Sequence, residues 1–327
     1  MPSDLKPHLR LPRPARCGTD MKLIWMLLTA GVVGMAGKTT MAQQHLSEGA
    51  SRTSTPSADR WKLIWSDEFD KDGRPDPRNW TYETGFVRNR ELQWYQPDNA
   101  WCRNGLLIIE GRRERKRNPD YDPNSSDWKK SRPSAEYTSA CLTTKGLHNW
   151  RYGRVEMRGK IDTRPGLWPA FWTLGVEGEW PGCGEIDIME YYQGTLLANV
   201  AWGSEKRWVA QWDAARKPIT EFNDPDWSRN CHVWRMDWEE NEIRLSVDDI
   251  VLNTTDLTKT SNQDKEGKNP FRQPHFLLLN LAIGGISGGD PSRTKFPARF
   301  EVDYVRVYEK QALSGAADSG ASADAAS

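Results

Sequence analysis

The sequence lacks an excess of charge of either sign, and it lacks clustered cysteines and histidines. Its 45 basic and 45 acidic side chains balance over 327 residues. After residue 60 the chain carries 37 basic and 41 acidic side chains, a net charge of −4 with histidine neutral. This balance excludes the basic face of a nucleic-acid-binding protein. The five cysteines do not show the paired spacing of a zinc site, and the five histidines form no local cluster.

A long membrane-spanning run is also missing. The main apolar stretch, residues 21–36, begins with Lys22 close to its start and is interrupted by Thr29 and glycines. It ends before Lys38, too short for a full span, and small residues follow up to Ala42. The pattern predicts a secretory signal, so we expect a secreted or periplasmic protein with no membrane partner after signal removal. Whether Met1 or Met21 is the initiator stays open.

Composition divides the chain into four parts. We predict an N-terminal extension and signal over 1–42, a disordered Ser/Thr-rich linker over 43–60, one folded domain over 61–310, and a low-complexity tail over 311–327. Four cysteines follow the signal: Cys102, Cys141, Cys183 and Cys231. They allow three disulfide pairings, and sequence alone does not choose among them.

Helical periodicity is nearly absent, and two-residue alternation takes its place. The segment 152–161 alternates apolar with charged side chains, as a half-buried strand does. Further predicted strands are 62–65, 106–110, 136–144, 196–202, 232–238, 242–252, 275–283 and 300–308. Many short strands separated by Gly, Pro, Asn and Asp predict an all-β fold, an antiparallel β-sandwich. A concave sheet would form a groove long enough for a polymer.

Three acids stand among isoleucines in the segment 184–190. With a side-chain period of two, Glu185 and Asp187 share one face of a strand, and Glu190 is out of phase with them. One extra residue at Ile188 or Met189, accommodated as a β-bulge, would return Glu190 to that face. The sequence therefore predicts three carboxylates in one cleft.

Crowded carboxylates raise one another's pKa, so at least one proton stays bound. A retaining glycosidase needs this condition, because one carboxylate is the nucleophile and one carboxyl is the acid. We assign Glu185 as nucleophile, Glu190 as acid/base, and Asp187 as the group that tunes both. The alternatives are a solvated strand face and a calcium site, although calcium more usually takes its ligands from a loop.

The chain contains 17 tryptophans, more than a core of this size requires. Flat indole rings stack well on sugar rings, and they also pack well in cores. Trp234 and Trp238 alternate with polar residues and are predicted to be structural. The candidates for sugar contact are Trp94, Trp168, Trp172, Trp180 and Trp202.

Taken together, these motifs resemble glycoside hydrolase family 16. The segment from Glu185 to Glu190 resembles its E-x-D-x-x-E signature, in the bulged form typical of laminarinase-like, endo-β-1,3-glucanase-type members. Further matches, which cover nearly all of 61–310, are its D-E-F opening at 67–69, its E-L-Q-x-Y loop at 91–95, its G-R-x-E strand at 153–156, its groove-lining stretch at 166–172 and its closing strand at 302–308.

The resemblance implies a concanavalin-like β-jelly-roll and a retaining endo-mechanism on a β-linked polysaccharide. It also implies a structural calcium, with Glu68, Asp303 and the carbonyl of Gly105 as candidate ligands. We expect no cofactor for catalysis and a monomer. The resemblance further implies that one loop lines the non-reducing side of the groove, through Arg88, Asn89, Glu91 and Gln93.

One segment departs from the family pattern. Laminarinase-like relatives often carry a histidine on the strand after the catalytic one, where this chain has 197–202, and we expect Asn199 or Trp202 to meet the sugar there. Two segments, 113–132 and 208–227, could reshape the subsites. We expect a β-1,3-glucan as substrate, with a β-galactan or mixed-linkage glucan as alternative. A transglycosylase or a carbohydrate-binding relative is the alternative of a different class.

Overall fold

The computed structural model describes residues 61–311. The predicted signal and linker, and the predicted tail from residue 312 onward, lie outside the described residues. In the described part, no helix combines the length and the apolar character needed to cross a membrane.

Strands dominate the described residues, and the single α-helix, α1, is short (Gly285–Gly288). The strands are β1 (Trp61–Asp67), β2 (Thr81–Glu83), β3 (Gln93–Tyr95), β4 (Ala100–Arg103), β5 (Leu106–Gly111), β6 (Lys116–Arg117), β7 (Ser134–Ala135), β8 (Tyr137–Ser139), β9 (Cys141–Thr143), β10 (Gly153–Lys160), β11 (Leu167–Gly175), β12 (Glu185–Tyr192), β13 (Thr195–Gly203), β14 (Ala210–Pro218), β15 (His232–Trp238), β16 (Glu242–Val247), β17 (Ile250–Asp256), β18 (His275–Ile283) and β19 (Ala298–Lys310).

Two large antiparallel sheets form the fold, and the predicted all-β antiparallel sandwich is confirmed. One sheet has the order β17-β16-β15-β10-β19-β5-β4, with β1 also pairing with β19. The other has the order β14-β13-β12-β11-β18-β9-β2. The strand with the three acids, β12, therefore lies in the interior of the second sheet, and β14 is one of the two edges of that sheet.

The core lies between the two sheets and follows from the alternation of side chains. Ile186 and Ile188 of β12 face the core, where they meet Met157 of β10 and Val305 and Val307 of β19. All five are fully buried. Burying one such aliphatic side chain contributes about 1.5–3 kcal/mol, which fixes the register of β12 and so the direction of its acids.

Some strand predictions need correction. The predicted strand 136–144 is divided into β8 and β9, and 242–252 is divided into β16 and β17 by a turn with Asp248 at φ 51°. Sequence reasoning did not identify β11 and β14 as strands. Almost every residue of β11 is buried, so it shows no alternation, and it contains Pro169. This proline is tolerated because the pairing with β12 begins only at Ala170.

The cysteine question is resolved for three positions. Cys102, Cys141 and Cys183 are buried free thiols, so no disulfide links any two of them. Burial, with a smaller effect from the nearby Glu185 carboxylate, raises the pKa of the Cys183 thiol to about 11. Such a thiol stays protonated at neutral pH and behaves as a small apolar side chain.

Candidate active site

A β-bulge in β12 brings the three acids to one face of the sheet, as predicted. Asp187 pairs with Asn199 of β13, but the next pair is Glu190 with Leu197, and the register shifts between them. On the other side, Met189 and Asp187 pair with consecutive residues of β11, so Ile188 is the extra residue. Without this shift, Glu190 would point into the core.

Indole and amide donors hold each carboxylate. Glu190 accepts hydrogen bonds from Trp168 Nε1 at 2.9 Å and from Asn199 Nδ2 at 3.3 Å. Asn199 Nδ2 also donates to Asp187 at 3.1 Å. Glu185 accepts a hydrogen bond from Trp180 Nε1. One amide therefore links Asp187 with Glu190, and two tryptophans orient the outer acids.

Burial and mutual repulsion raise the pKa of all three carboxyls. Burial raises the pKa of Glu190 to about 7, and the charge of Glu185 adds to this effect. Burial, followed by the charges of Glu190 and Glu185, raises the pKa of Asp187 well above its usual range. Burial also raises the pKa of Glu185, but the hydrogen bond from Trp180 opposes the increase. Glu190 can therefore hold a proton near neutral pH.

Asp187 is the most deeply buried of the three acids. Its exposed fraction is 1%, and its Oδ1 has no hydrogen-bond partner among the described residues. Burial and the charges of the neighbouring carboxylates both raise its pKa, so they favour its protonated form. Asp187 therefore influences the outer acids from its position between them on the strand.

The outer acids Glu185 and Glu190 line a groove of about 850 Å³, and Asp187 between them is buried. Six of the predicted sugar-contacting residues line it: Arg88, Asn89, Trp168, Trp172, Trp180 and Asn199. Arg88 forms an ion pair with Glu83, and its guanidinium lies 4.9 Å from the centre of the Trp172 ring. Trp172 is itself fixed by a 2.7 Å hydrogen bond from its Nε1 to Asn280.

Glu91 and Gln93 lie behind the groove wall, which corrects the prediction that they line it. Their exposed fractions are only 2% and 1%. Gln93 Nε2 donates to Glu91 at 2.7 Å, and Gln93 Oε1 accepts from the amide of Ile283 at 2.8 Å. These bonds use the polar atoms internally, so the two side chains support the wall and do not reach a sugar.

Trp94 and Trp202 also fail to reach the groove. Trp94 is buried and packs edge-on against Phe86, with ring centres 5.5 Å apart. Trp202 packs against the main core. It is three residues from Asn199 on the same strand, so alternation places the two on opposite faces. The presence of a tryptophan in the sequence does not by itself show whether its side chain packs in the core or binds a sugar.

The segment 113–132 braces the wall that carries Arg88 and Asn89. Arg132 donates to the carbonyls of Glu91 at 2.6 Å and Arg90 at 3.0 Å. Asn89 and Arg90 both have positive φ, 55° and 50°, a conformation that costs energy for residues other than glycine. The Arg132 bonds therefore hold a strained turn in place, a role that sequence reasoning did not find.

Sequence reasoning also missed the opposite wall of the groove. Trp208 and Trp212 line it with exposed fractions of 53% and 47%. Alternation along β14 places Trp212, Ala214 and Arg216 on the groove face. The same two-residue period could have predicted this row, had β14 been recognised as a strand.

The predicted calcium ligands form ion pairs instead. Arg306 donates to both carboxylate oxygens of Glu68, at 2.9 and 2.8 Å. Arg158 donates to Asp303 at 2.7 Å. Over residues 61–311, no group of three or more His, Cys, Asp or Glu side chains could hold a metal ion. As arranged, the donors do not fit a calcium cage, and the calcium site stays a prediction.

Comparison with known families identifies two matching models. The model of glycosyl hydrolases family 16 matches residues 116–306. A model of the β-glucan synthesis-associated proteins SKN1/KRE6/Sbg1 matches residues 35–183.

Individual proteins resemble the chain over most of the described residues. A β-glucanase of Rhodothermus marinus is 36% identical over 276 residues, which cover 77% of this chain and 86% of that protein. The catalytic domain of an endo-1,3-β-glucanase (laminarinase) from Thermotoga petrophila has a TM-score of 0.64 and 34% identity, covering 77% and 99%. A structure from work on endo-acting O-glycanases, with which prominent members of the human gut microbiota initiate mucin breakdown, has a TM-score of 0.71 and 32% identity, covering 78% and 93%.

Proposed function

The chain belongs to glycoside hydrolase family 16, and on that premise we propose that it hydrolyses internal β-1,3 linkages of a β-glucan with retention of configuration. The placement of Glu185, Asp187 and Glu190 on one face of β12 carries this proposal. The Asn199 amide, which donates to both Asp187 and Glu190, holds these two acids close together, and Glu185 lies two residues from Asp187 on the same face. Closely spaced carboxyls favour direct attack by one of them, whereas an inverting enzyme needs room for a water between them.

The first step uses the outer acids in opposite protonation states. The ionised Glu185 attacks the anomeric carbon, while Glu190 donates its proton to the glycosidic oxygen and the leaving sugar departs as an alcohol. Trp180 holds Glu185 in position, and Asp187 takes no part in bond exchange. The product is a glycosyl ester on Glu185, with inverted configuration.

The second step reverses these roles. The ester on Glu185 is neutral, so a major source of the raised pKa of Glu190 disappears. Glu190 is then an ionised base, which takes a proton from water as the water attacks the anomeric carbon. The second inversion restores the original configuration and frees Glu185.

An open groove supports endo-action on a polymer. It extends from the Arg88 loop across β12 to the edge strand β14, and these walls leave a chain free to continue beyond the site. Polysaccharides lie outside the cell, so an enzyme that acts on them is expected to be secreted. The segment 21–42, which has the pattern of a secretory signal, supports secretion. Retention of all three acids argues against a purely carbohydrate-binding protein.

A β-galactan-type linkage, such as those of O-glycans, is the second candidate substrate. The neighbour from O-glycanase work has the higher TM-score, 0.71 against 0.64 for the laminarinase domain. In addition, β13 presents Leu197 and Asn199 to the groove, with no histidine there.

A panel of polysaccharides tests the proposal. Laminarin, mixed-linkage glucan, β-galactan and mucin O-glycans are incubated with the enzyme, and new reducing ends are measured together with product sizes. We expect oligosaccharides of several lengths from laminarin from the earliest times. Cleavage of galactan or O-glycans alone would favour the second candidate. Products longer than the substrate at high oligosaccharide concentration would identify a transglycosylase.

A further inference from the structure

Arg216 occupies a defined place relative to the catalytic acids. In the sheet register, Arg216 of β14 pairs with Leu197 of β13, and Leu197 pairs with Glu190 of β12. Strands lie about 4.8 Å apart, so the backbones at Arg216 and Glu190 are about 10 Å apart. All three side chains line the groove. Arg216 therefore faces the space next to the acid, on the wall opposite the Arg88 loop.

Arg216 differs from the other cations around the groove because no protein anion neutralises it. Within the described residues, its guanidinium has no hydrogen bond or ion pair. Arg88, at the other wall, is paired with Glu83, and Lys217, the neighbour of Arg216, is paired with Glu221 at 3.2 Å. A neutral sugar bound here would leave the positive charge of Arg216 without a counter-charge.

If the Arg88 loop lines the non-reducing side of the groove, as the family resemblance implies, the wall formed by β14 lies on the leaving-group side of the reaction. The Arg88 loop is the wall assigned to the non-reducing side, so β14, across β12 from it, faces the sugar that departs with the proton of Glu190. A negative substituent on that sugar would be repelled by the carboxylates of β12. A guanidinium beside it offsets the repulsion, and its planar donors bind a sulfate or carboxylate through two hydrogen bonds.

Aromatic rings line the same wall of the groove as this cation. Trp212 lies four residues earlier on the same face of β14, and Tyr192 lines the groove beside it. Both Tyr192 and Arg216 line the groove, and the Arg216 charge lowers the pKa of the Tyr192 phenol against the larger effect of burial. An indole face for the ring, with a cation at its edge, is the arrangement expected for a charged sugar.

We propose that Arg216 binds an anionic substituent, a sulfate ester or a carboxylate, on the sugar of the leaving group. This inference rests on the glycosidase function but not on the identity of the glycan. It makes Arg216 a specificity-determining residue, which favours charged over neutral substrates at the site next to the acid.

A pair of matched substrates tests the proposal. An oligosaccharide that the wild-type enzyme cleaves is oxidised at its reducing end to the aldonate, or reduced there to the alditol, so the two differ only by a carboxylate. For the wild type, we expect a higher kcat/KM with the aldonate. In Arg216→Gln, the aldonate/alditol ratio should fall about tenfold, which corresponds to 1.4 kcal/mol. An unchanged ratio in this variant would overturn the proposal.

Control variants separate charge recognition from a change in folding. Lys217→Gln removes the neighbouring cation and should leave the ratio unchanged, whereas Arg216→Lys should retain part of it. Raising the salt concentration should reduce the wild-type ratio and leave that of Arg216→Gln unaffected. A 6-O-sulfated oligosaccharide and its neutral parent form the second arm. Preference for only one anion identifies the source, and preference for neither contradicts the proposal.

Binding gives a readout that does not require turnover. In Glu185→Gln, calorimetry should show tighter binding of the aldonate than of the alditol, and adding Arg216→Gln should abolish the difference. Equal affinities in the single variant would refute the role of Arg216 whichever glycan is cleaved. If instead no glycan of the panel is hydrolysed but the affinity difference is present, the hydrolase proposal fails and the anion site stands.

Discussion

Two strands of the same sheet, β12 and β14, differ in whether their groove-facing side chains have hydrogen-bond partners. On the central strand β12, every acid has a partner: Trp180 for Glu185, Asn199 for Asp187, and Trp168 for Glu190. On the edge strand β14, Trp212 and Arg216 face the groove with no hydrogen-bonded partner among the described residues. The acids of β12 are thus fixed by hydrogen bonds before the substrate binds. The side chains of β14 have no such bonds, so they are available to contact the substrate.

Position in the sheet explains this difference. β12 has neighbours on both sides, so donors from β11 and β13 reach its acids, and its opposite face is packed into the core. β14 has a neighbour on one side only, and its groove face is open. Changes on β12 should therefore alter the rate constant and its pH dependence, whereas changes on β14 should alter binding.

Replacing the nucleophile should have the largest effect. We expect Glu185→Gln to lower kcat by about 10⁴-fold or more, because no bond to the anomeric carbon can form, while oligosaccharide binding is retained. Activity is measured by reducing ends and binding by calorimetry. Glu221→Gln, which removes an exposed carboxylate beside β14, serves as the control and should be active. Full activity in Glu185→Gln would show that Glu185 of β12 is not the nucleophile.

The pH profile should show the next largest effect. With the pKa of Glu190 at about 7, kcat/KM should fall about tenfold per pH unit above that value, because the acid loses its proton. On the acid side, activity should fall as Glu185 takes up a proton, and burial places this limb above the usual range for glutamate. A profile that stays flat from pH 6 to pH 9 would contradict the assignment of Glu190 as the acid.

Loss of one indole donor should have a smaller effect. Trp168→Phe removes the 2.9 Å bond that favours ionised Glu190, so the pKa of Glu190 should rise and the alkaline limb should move to higher pH. A weaker acid should lower kcat by about tenfold. The matched change on β14, Trp212→Phe, should leave the limb in place. If the alkaline limb shifted equally in both variants, the proposed difference between β12 and β14 would be wrong.

The smallest expected effect is on β14. Trp212→Ala removes an exposed ring from the groove, and a lost sugar-stacking contact should raise KM a few-fold, or by about 1 kcal/mol, with kcat little changed. The measurement uses oligosaccharides of increasing length, since only those that reach this wall should respond. A fall in kcat on short substrates would place Trp212 in the chemistry instead.

The sequence predicts β12 far better than β14, and the reason is physical. Acids among isoleucines at a period of two are unusual, so the strand, its direction and its bulge followed from one short segment. The row Trp212, Ala214 and Arg216 alternates with Gln211, Asp213 and Ala215, and polar residues on both faces hide the strand. β14 is an edge strand, and it lacks the row of apolar side chains by which a half-buried strand is recognised in a sequence.

Side chains that depend on distant contacts were the hardest to predict. Glu91 and Gln93 are polar residues beside the groove, but their partners include Ile283, far along the chain. Glu68 and Asp303 find arginines on other strands, which no local pattern reveals. By contrast, the strand period already implied that Asn199 and Trp202 could not both face the groove.

Azide rescue tests the roles of the two acids most directly. The small variants Glu185→Ala and Glu190→Ala are given an activated aryl β-glycoside of the preferred oligosaccharide, and the glycosyl azides are identified by NMR. Azide replacing the missing nucleophile should yield the α-azide from Glu185→Ala. Azide attacking the glycosyl ester should yield the β-azide from Glu190→Ala. The opposite anomers, or no rescue of either variant, would contradict the assignment of Glu185 as nucleophile and Glu190 as acid/base.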